Sequence, residues 1–130
     1  MNKFLSKNLI FDISLSEEHC AAIDFNNCLY TWGFGANNEL GYFDKNEKIV
    51  SIPNKVMYNN KPFLVEKIKC GKNFTAGITN EGIPFLFGNN DIIFFSFEKN
   101  FDFCNIIAKD IFCGENYVII LFEKEKLFIY

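Results

Sequence analysis

At 130 residues, with 49% hydrophobic and 22% charged positions, the chain is long and apolar enough for one packed domain and too apolar for wholesale disorder. Its 13 basic residues, all lysine, are outnumbered by 16 acidic ones, giving a net charge of −3. That balance disfavours direct nucleic-acid binding, which draws on basic charge and reads guanine best through arginine.

No apolar run exceeds about six residues, as at Tyr117 to Phe122, where a bilayer span needs ~20. Asp12 also breaks the apolar patch after Lys3 and Lys7 before a signal-peptide core forms. A soluble, cytoplasmic or nuclear protein is expected. Cys20, Cys28, Cys70, Cys104 and Cys113 are odd in number and include no C-x-x-C, so neither a disulfide framework nor a zinc site is indicated. Reduced, buried thiols are expected, with no metal and no cofactor.

In chain order, the first apolar segment starts at Ile10 and ends near Leu15. A three-residue link leads to His19-Cys20-Ala21-Ala22-Ile23, Asn26-Asn27 turns the chain, and Leu29-Tyr30-Thr31-Trp32-Gly33 returns it. Alternation at period two and turn residues that tolerate positive φ mark three short strands. The same order recurs downstream. His19 aligns with Phe74 and Tyr117, at offsets of 55 and 43 residues. Ile10 falls on Val65 and Ala108, Ile13 on Ile68 and Ile111, and Trp32 on Phe87 and Tyr130. Cys70-Gly71 falls on Cys113-Gly114, and Glu81-Gly82 and Glu125-Lys126 occupy the turn position.

Periods of this size, built from β units closed by turns, point to propeller blades or a β-solenoid. Copies over about 10–62, 63–105 and 106–130 make a single repeat region spanning 1–130. The expected fold is all-β, a partial β-propeller of about two and a half blades of antiparallel strands. The fourth strand of the first blade is expected from Pro53 to Met57.

These residues resemble the regulator-of-chromosome-condensation repeat, which builds seven-bladed propellers. The first copy supplies His19, Ala22, Tyr30, Trp32-Gly33, Gly35, Glu39-Leu40-Gly41 and Pro53-Asn54-Lys55-Val56 over about 40 positions. The second supplies Cys70-Gly71, Thr75, Ala76, Phe87-Gly88 and Asn89, and the third little beyond Cys113-Gly114. Asn38 and Glu39 depart from the family's Gly-Gln before Leu-Gly. In the second copy that loop is replaced by the apolar run Asp91 to Phe97, read either as a strand rebuilding the blade or as a patch for a partner.

No nucleophile accompanies His19, so it is expected to be structural, bonded to a neighbouring turn. Trp32, Phe87 and Tyr130 are expected in the inter-blade core, with Cys70 and Cys113 packed at one shared position. Gly33, Gly35 and Gly41 are read as required by a tight loop, and Gly33, Gly41, Gly71, Gly88 and Gly114 as structural repeat positions. Gly33-Phe34-Gly35 lacks the third glycine and the helix of a nucleotide fingerprint. Asp44 to Lys48 and Lys55 to Lys61 are expected to be solvated connections.

The leading functional expectation is a non-enzymatic scaffold that offers Asn37, Asn38, Glu39, Tyr42 and Phe43 to a protein partner. The resemblance implies a rival, nucleotide exchange on a small Ran-like GTPase. A third option is a regulatory propeller attached to a kinase or ubiquitin ligase. Further blades, in the same chain or another, are expected to complete the ring.

Overall fold

The computed structural model describes residues 9–42, 48–88, 91–94, 107–123 and 126–130. Among these there are thirteen strands and no helix. Three antiparallel sheets follow one another along the chain. The first holds β1 (Ile10–Leu15), β2 (His19–Asp24), β3 (Leu29–Phe34) and β4 (Ile49–Lys55) in that order. A small hairpin, β5 (Met57–Tyr58) and β6 (Lys61–Pro62), links it to the second sheet. That sheet runs β7 (Val65–Cys70), β8 (Phe74–Thr79), β9 (Pro84–Gly88) and β10 (Asp91–Phe94). The third comprises β11 (Ala108–Cys113), β12 (Val118–Phe122) and β13 (Lys126–Ile129).

The three sheets share a register. Ile13, Ile68 and Ile111 pair with Ala22, Gly77 and Ile120. The first strand of each sheet is bulged at one place, between Ile10 and Asp12, Val65 and Lys67, and Ala108 and Asp110. A bulge bends its strand and increases the local twist, so the same kink three times gives three sheets of one shape. Asp12 and Asp110 stabilise theirs by accepting the backbone N–H of Ile13 and Ile111 at 2.9 and 2.8 Å. The hairpins turn at Asn27 and Gly82, with φ of 65° and 83°. Thr79 Oγ1 accepts from Ile83 N, and Asp24 Oδ1 from Asn26 N and Cys28 N, closing each loop.

Each sheet lies flat on the next. Ala21, Ile23 and Leu29 of the first meet Val65, Ile68, Phe85 and Phe87 of the second. Phe63, which follows β6, packs its ring edge-on to Phe85 at 4.8 Å and tilts against Phe87 at 5.4 Å. On the far face of the second sheet, Ala76, Ile78 and Leu86 meet Ile111, Val118, Ile120 and Phe122.

Three expectations need correction. The fourth strand of the first sheet begins at Ile49, opposite Phe34, because a register shift between Thr31 and Gly33 sets the pairing; Met57 belongs to the separate hairpin. Lys55 to Lys61 is partly this hairpin, turned by Asn59 and Asn60 at φ of 50° and 61°. Lys126 is not a turn residue, since it pairs with Phe122 in β13. The apolar run after Asn90 does form the fourth strand of its sheet as far as Phe94, while Phe95 to Phe97 lie outside the described residues.

Candidate functional site

The loop between β3 and β4 turns inward. Gly33, at φ +107°, lets the chain pass so close to β2 that an added Cβ would stand 2.5 Å from the Glu18 carbonyl oxygen. Phe34 N then donates to Glu18 O at 2.8 Å, and Gly35 N to Lys48 O at 2.7 Å. Asn38 at φ 61° and Gly41 at φ 79° fold the segment back, burying Glu39 and Leu40, with the Leu40 side chain against Gly35.

A buried polar chain anchors this plug. Thr31 Oγ1 donates to the Leu40 carbonyl at 2.7 Å, and Thr75 Oγ1, from the next sheet, donates to the Glu39 carbonyl at 2.6 Å. Having given up its one proton, Thr75 Oγ1 accepts from His19 Nε2 at 2.8 Å. His19 Nδ1 is then the acceptor for Ser16 Oγ at 2.7 Å, which fixes the neutral Nε2–H tautomer. His19 is thus bonded to the preceding turn and across to the next sheet. The Glu39 carboxylate is 0% exposed, takes one bond from Asn37 N at 2.7 Å through Oε2, and leaves Oε1 without a protein partner. The Tyr42 hydroxyl lies 2.7 and 2.9 Å from the carbonyls of Thr31 and Asn54, tying the loop to β3 and β4.

Of the five residues expected to meet a partner, Glu39 is therefore wholly internal and Tyr42 is bound to the sheet through its hydroxyl. Asn37 and Asn38 are half-buried, and Phe43 lies outside the described residues. Burial is the reason: an all-polar reading of Asn-Asn-Glu misses that Leu40 packs onto Gly35 and that Gly41 lies against Phe87 of the next sheet.

Burial also draws the His19 pKa from 6.5 down to about 4, against a weaker raising effect from the Phe74 backbone. The unfolded imidazole takes up a proton below 6.5 and the folded one only near 4. The stability is therefore intact above pH 6.5 and lost as pH falls from 6.5 toward 4. Urea unfolding at pH 7 and pH 4.5 should show the wild type losing on the order of 2 kcal/mol more than His19→Phe. Equal losses would mean that His19 is not buried in its neutral form.

Cys70 and Cys113 sit at one repeat position. Cys70 N donates to Ser14 Oγ at 2.9 Å, and the two thiols lean toward the carbonyls of Ser14 and Lys69 on the preceding sheet. Burial pushes both thiols up to about 12, which makes them poor thiolates. With Gly71 and Gly114 they line a cavity of about 250 Å³. Cys28 is buried, Cys20 half-buried, and Cys104 lies outside the described residues.

Trp32, Phe87 and Tyr130 do share one register, opposite Cys20 and Thr75 in two sheets, with Tyr130 bonded through its backbone to Val118 in the third. Their surroundings differ, which corrects the expectation of a common core role. Phe87 is buried against the first sheet, beside Gly41 and next to Gly88; Trp32 is half-buried on the side away from the second sheet; Tyr130 is 57% exposed.

The outer sides of the first and third sheets are apolar. Ile13, Ile68 and Ile111 are equivalent, yet Ile13 is 53% exposed while the other two are at 0%. At the opposite end Thr31, Leu86 and Ile129 are equivalent and stand at 0%, 5% and 69%. Leu15 on one side, and Phe112 and Leu127 on the other, extend these patches. Among the described residues there is no cluster of potential metal ligands, and no helix is long and apolar enough to cross a membrane.

Two four-stranded antiparallel sheets and a three-stranded one, stacked face to face and each with the same bulge and hairpin, define a segment of a β-propeller. The blades are of a particular kind: the chain belongs to the RCC1-like β-propeller repeat family, and residues 26–78 match the regulator of chromosome condensation (RCC1) repeat. It is 34% identical over 88 residues to the X-linked retinitis pigmentosa GTPase regulator homolog of Caenorhabditis elegans, covering 68% of this chain and 6% of that protein. Its fold is that of human WBSCR16, at a TM-score of 0.81 and 18% identity, over 97% of this chain and 35% of the other. Prp20p of Saccharomyces cerevisiae, a protein described with its binding properties to Gsp1p and histones, matches at 0.68 and 17% identity over 95% and 31%. The chain thus spans about a third of these propellers and a small part of the longer relative.

Proposed function

We propose that the chain is a non-enzymatic protein-interaction scaffold: a run of propeller blades whose outer faces seat further blades and whose β3–β4 loop offers Asn37 and Asn38 to a protein partner. The observation that carries this is the exposure of Ile13 where its equivalents Ile68 and Ile111 are sealed. A side chain built for an interface stands uncovered on the first sheet, and repeat modules gain their stability from such neighbour contacts.

Charge supports unlike neighbours over end-to-end copies. Asp12, Lys67 and Asp110 occupy one register position, and Lys67 Nζ reaches Asp110 Oδ1 at 3.3 Å across the second and third blades. A second copy docked on the third blade would set Asp12 against Asp110, whereas a lysine there would repeat the pair already present. Asp12→Lys, a residue that this position accepts in the second blade, should strengthen self-association several-fold in sedimentation equilibrium, and adding Ile13→Lys should abolish it. No change in either variant would contradict blade-to-blade seating through these faces.

Guanine-nucleotide exchange on a small GTPase is the second reading, supported by the likeness to Prp20p. Stimulated release of labelled guanine nucleotide from a Ran-like GTPase by the chain would favour it. Stoichiometric binding of a partner without release favours the scaffold.

A further inference from the structure

The first blade exposes a pair of phenylalanines where its siblings carry polar side chains. Phe11, Glu66 and Lys109 are the extra residues of the three bulges, set between Ile10 and Asp12, Val65 and Lys67, and Ala108 and Asp110. Phe25, Asn80 and Glu123 are equivalent as well, since each donates its backbone N–H to the residue that precedes the first strand of its blade. Phe25 reaches Leu9 O at 2.9 Å, Asn80 reaches Leu64 O at 3.1 Å, and Glu123 reaches Ile107 O at 3.0 Å. The Phe11 and Phe25 rings meet with centroids 5.6 Å apart and planes tilted by 58°, yet they are 42% and 66% exposed.

A further blade seated on the first would not hide this pair. The middle blade is packed on both faces, and Glu66 and Asn80 remain exposed in it. These positions look out on solvent at the end where β1, β7 and β11 begin, which accounts for the polar residues in the second and third blades. Neither core packing nor blade seating explains two phenylalanines there, and paired exposed rings mark a contact surface.

Charge identifies the occupant. On the first strands and hairpin turns at this end, Glu66, Glu81 and Glu123 are exposed, against Lys109. The strand that carries Glu66, β7, runs beside β1. The faces of the phenylalanine rings are electron-rich, so rings and carboxylates alike attract a cation. A planar guanidinium stacks on such a face while its edge holds a carboxylate, which a compact ammonium does less well.

We propose that the Phe11–Phe25 pair is a docking site for an arginine side chain of a partner protein, stacked on the exposed rings within the acidic surroundings of this end. This rests on the protein-interaction reading and names the partner's chemistry. The site lies at the opposite end of the strands from the β3–β4 loop.

The probe is a capped Gly-Arg-Gly-Arg-Gly peptide, titrated into the full chain with ring-labelled phenylalanine. Saturable shifts are expected at Phe11 and Phe25, with none at the buried Phe85 or Phe87. Phe25→Asn, which installs the second blade's residue, should weaken binding about threefold. Phe11→Glu also installs a sibling's residue, and it removes a ring while adding a negative charge. Weaker binding is expected of it, whereas attraction by charge alone would make binding tighter. A peptide with norleucine in place of arginine should leave both rings unmoved. Absence of shifts at Phe11 and Phe25, tighter binding by Phe11→Glu, or equal shifts from the norleucine peptide would each overturn the proposal. So would NOEs from the two rings to residues 1–8, which would show the chain covering the pair itself. Each of these failures leaves the association tests on Asp12 and Ile13 untouched, so the two readings fall separately.

Discussion

Phe85→Ala is expected to lower the unfolding free energy by about 3–5 kcal/mol. Phe85 is fully buried at the seam of the first two blades, with ring centroids 4.8 Å from Phe63 and 5.0 Å from Phe87. Truncation removes the apolar area, the edge-on pair with Phe63 and the tilted pair with Phe87, and it leaves a hole that Gly77, lying against this ring, has no side chain to fill. Phe85→Leu should recover part of the loss by restoring volume. Denaturant unfolding that detects a loss below about 1 kcal/mol for the alanine would mean that the ring does not sit between two sheets.

Thr75→Val should cost about 2–4 kcal/mol although the two side chains have the same shape. The hydroxyl does two things at once: it donates to the Glu39 carbonyl and accepts from His19 Nε2. Valine leaves a buried N–H and a buried C=O without partners. At the equivalent place in the third blade the chain carries Val118, facing neither a histidine nor a plug. Cost therefore follows from the network, and His19→Phe should relieve part of it. A double-mutant cycle between the two positions is expected to give a coupling of about 1–2 kcal/mol. Additive losses would show that the histidine and the threonine do not meet.

The strands were largely legible because alternation at period two recurs and the turn residues Asn27 and Gly82 agree in the first two copies. The identity of the repeat was legible for the same reason: His19, Trp32-Gly33 and Leu40-Gly41 stand at fixed spacing. The start of β4 was not. Its residues, Ile49 to Lys55, show no clean alternation, and its register depends on a shift beside Gly33. The β5–β6 hairpin has only two residues per strand, too few to show a period, although Asn59-Asn60 carried the turn signal.

Glu39 shows where local reading fails at the candidate site. A carboxylate beside two asparagines reads as solvated, and only the bond from Thr75 of the next sheet to the Glu39 carbonyl shows why it lies inside. The environments of Trp32, Phe87 and Tyr130 were illegible for a related reason. Sequence gives a shared register position, whereas exposure depends on whether another blade lies against it, as at Phe87, or none does, as at Trp32.

The central claim is that one apolar interface is used twice within the chain and left uncovered at both ends. Paramagnetic broadening of isoleucine methyls by a soluble relaxation agent, on the isolated full chain, tests it without any substitution. Ile13 and Ile129 should broaden strongly while Ile68 and Ile111, one repeat position shared with Ile13, stay sharp. Equal broadening of Ile13, Ile68 and Ile111 would contradict the account.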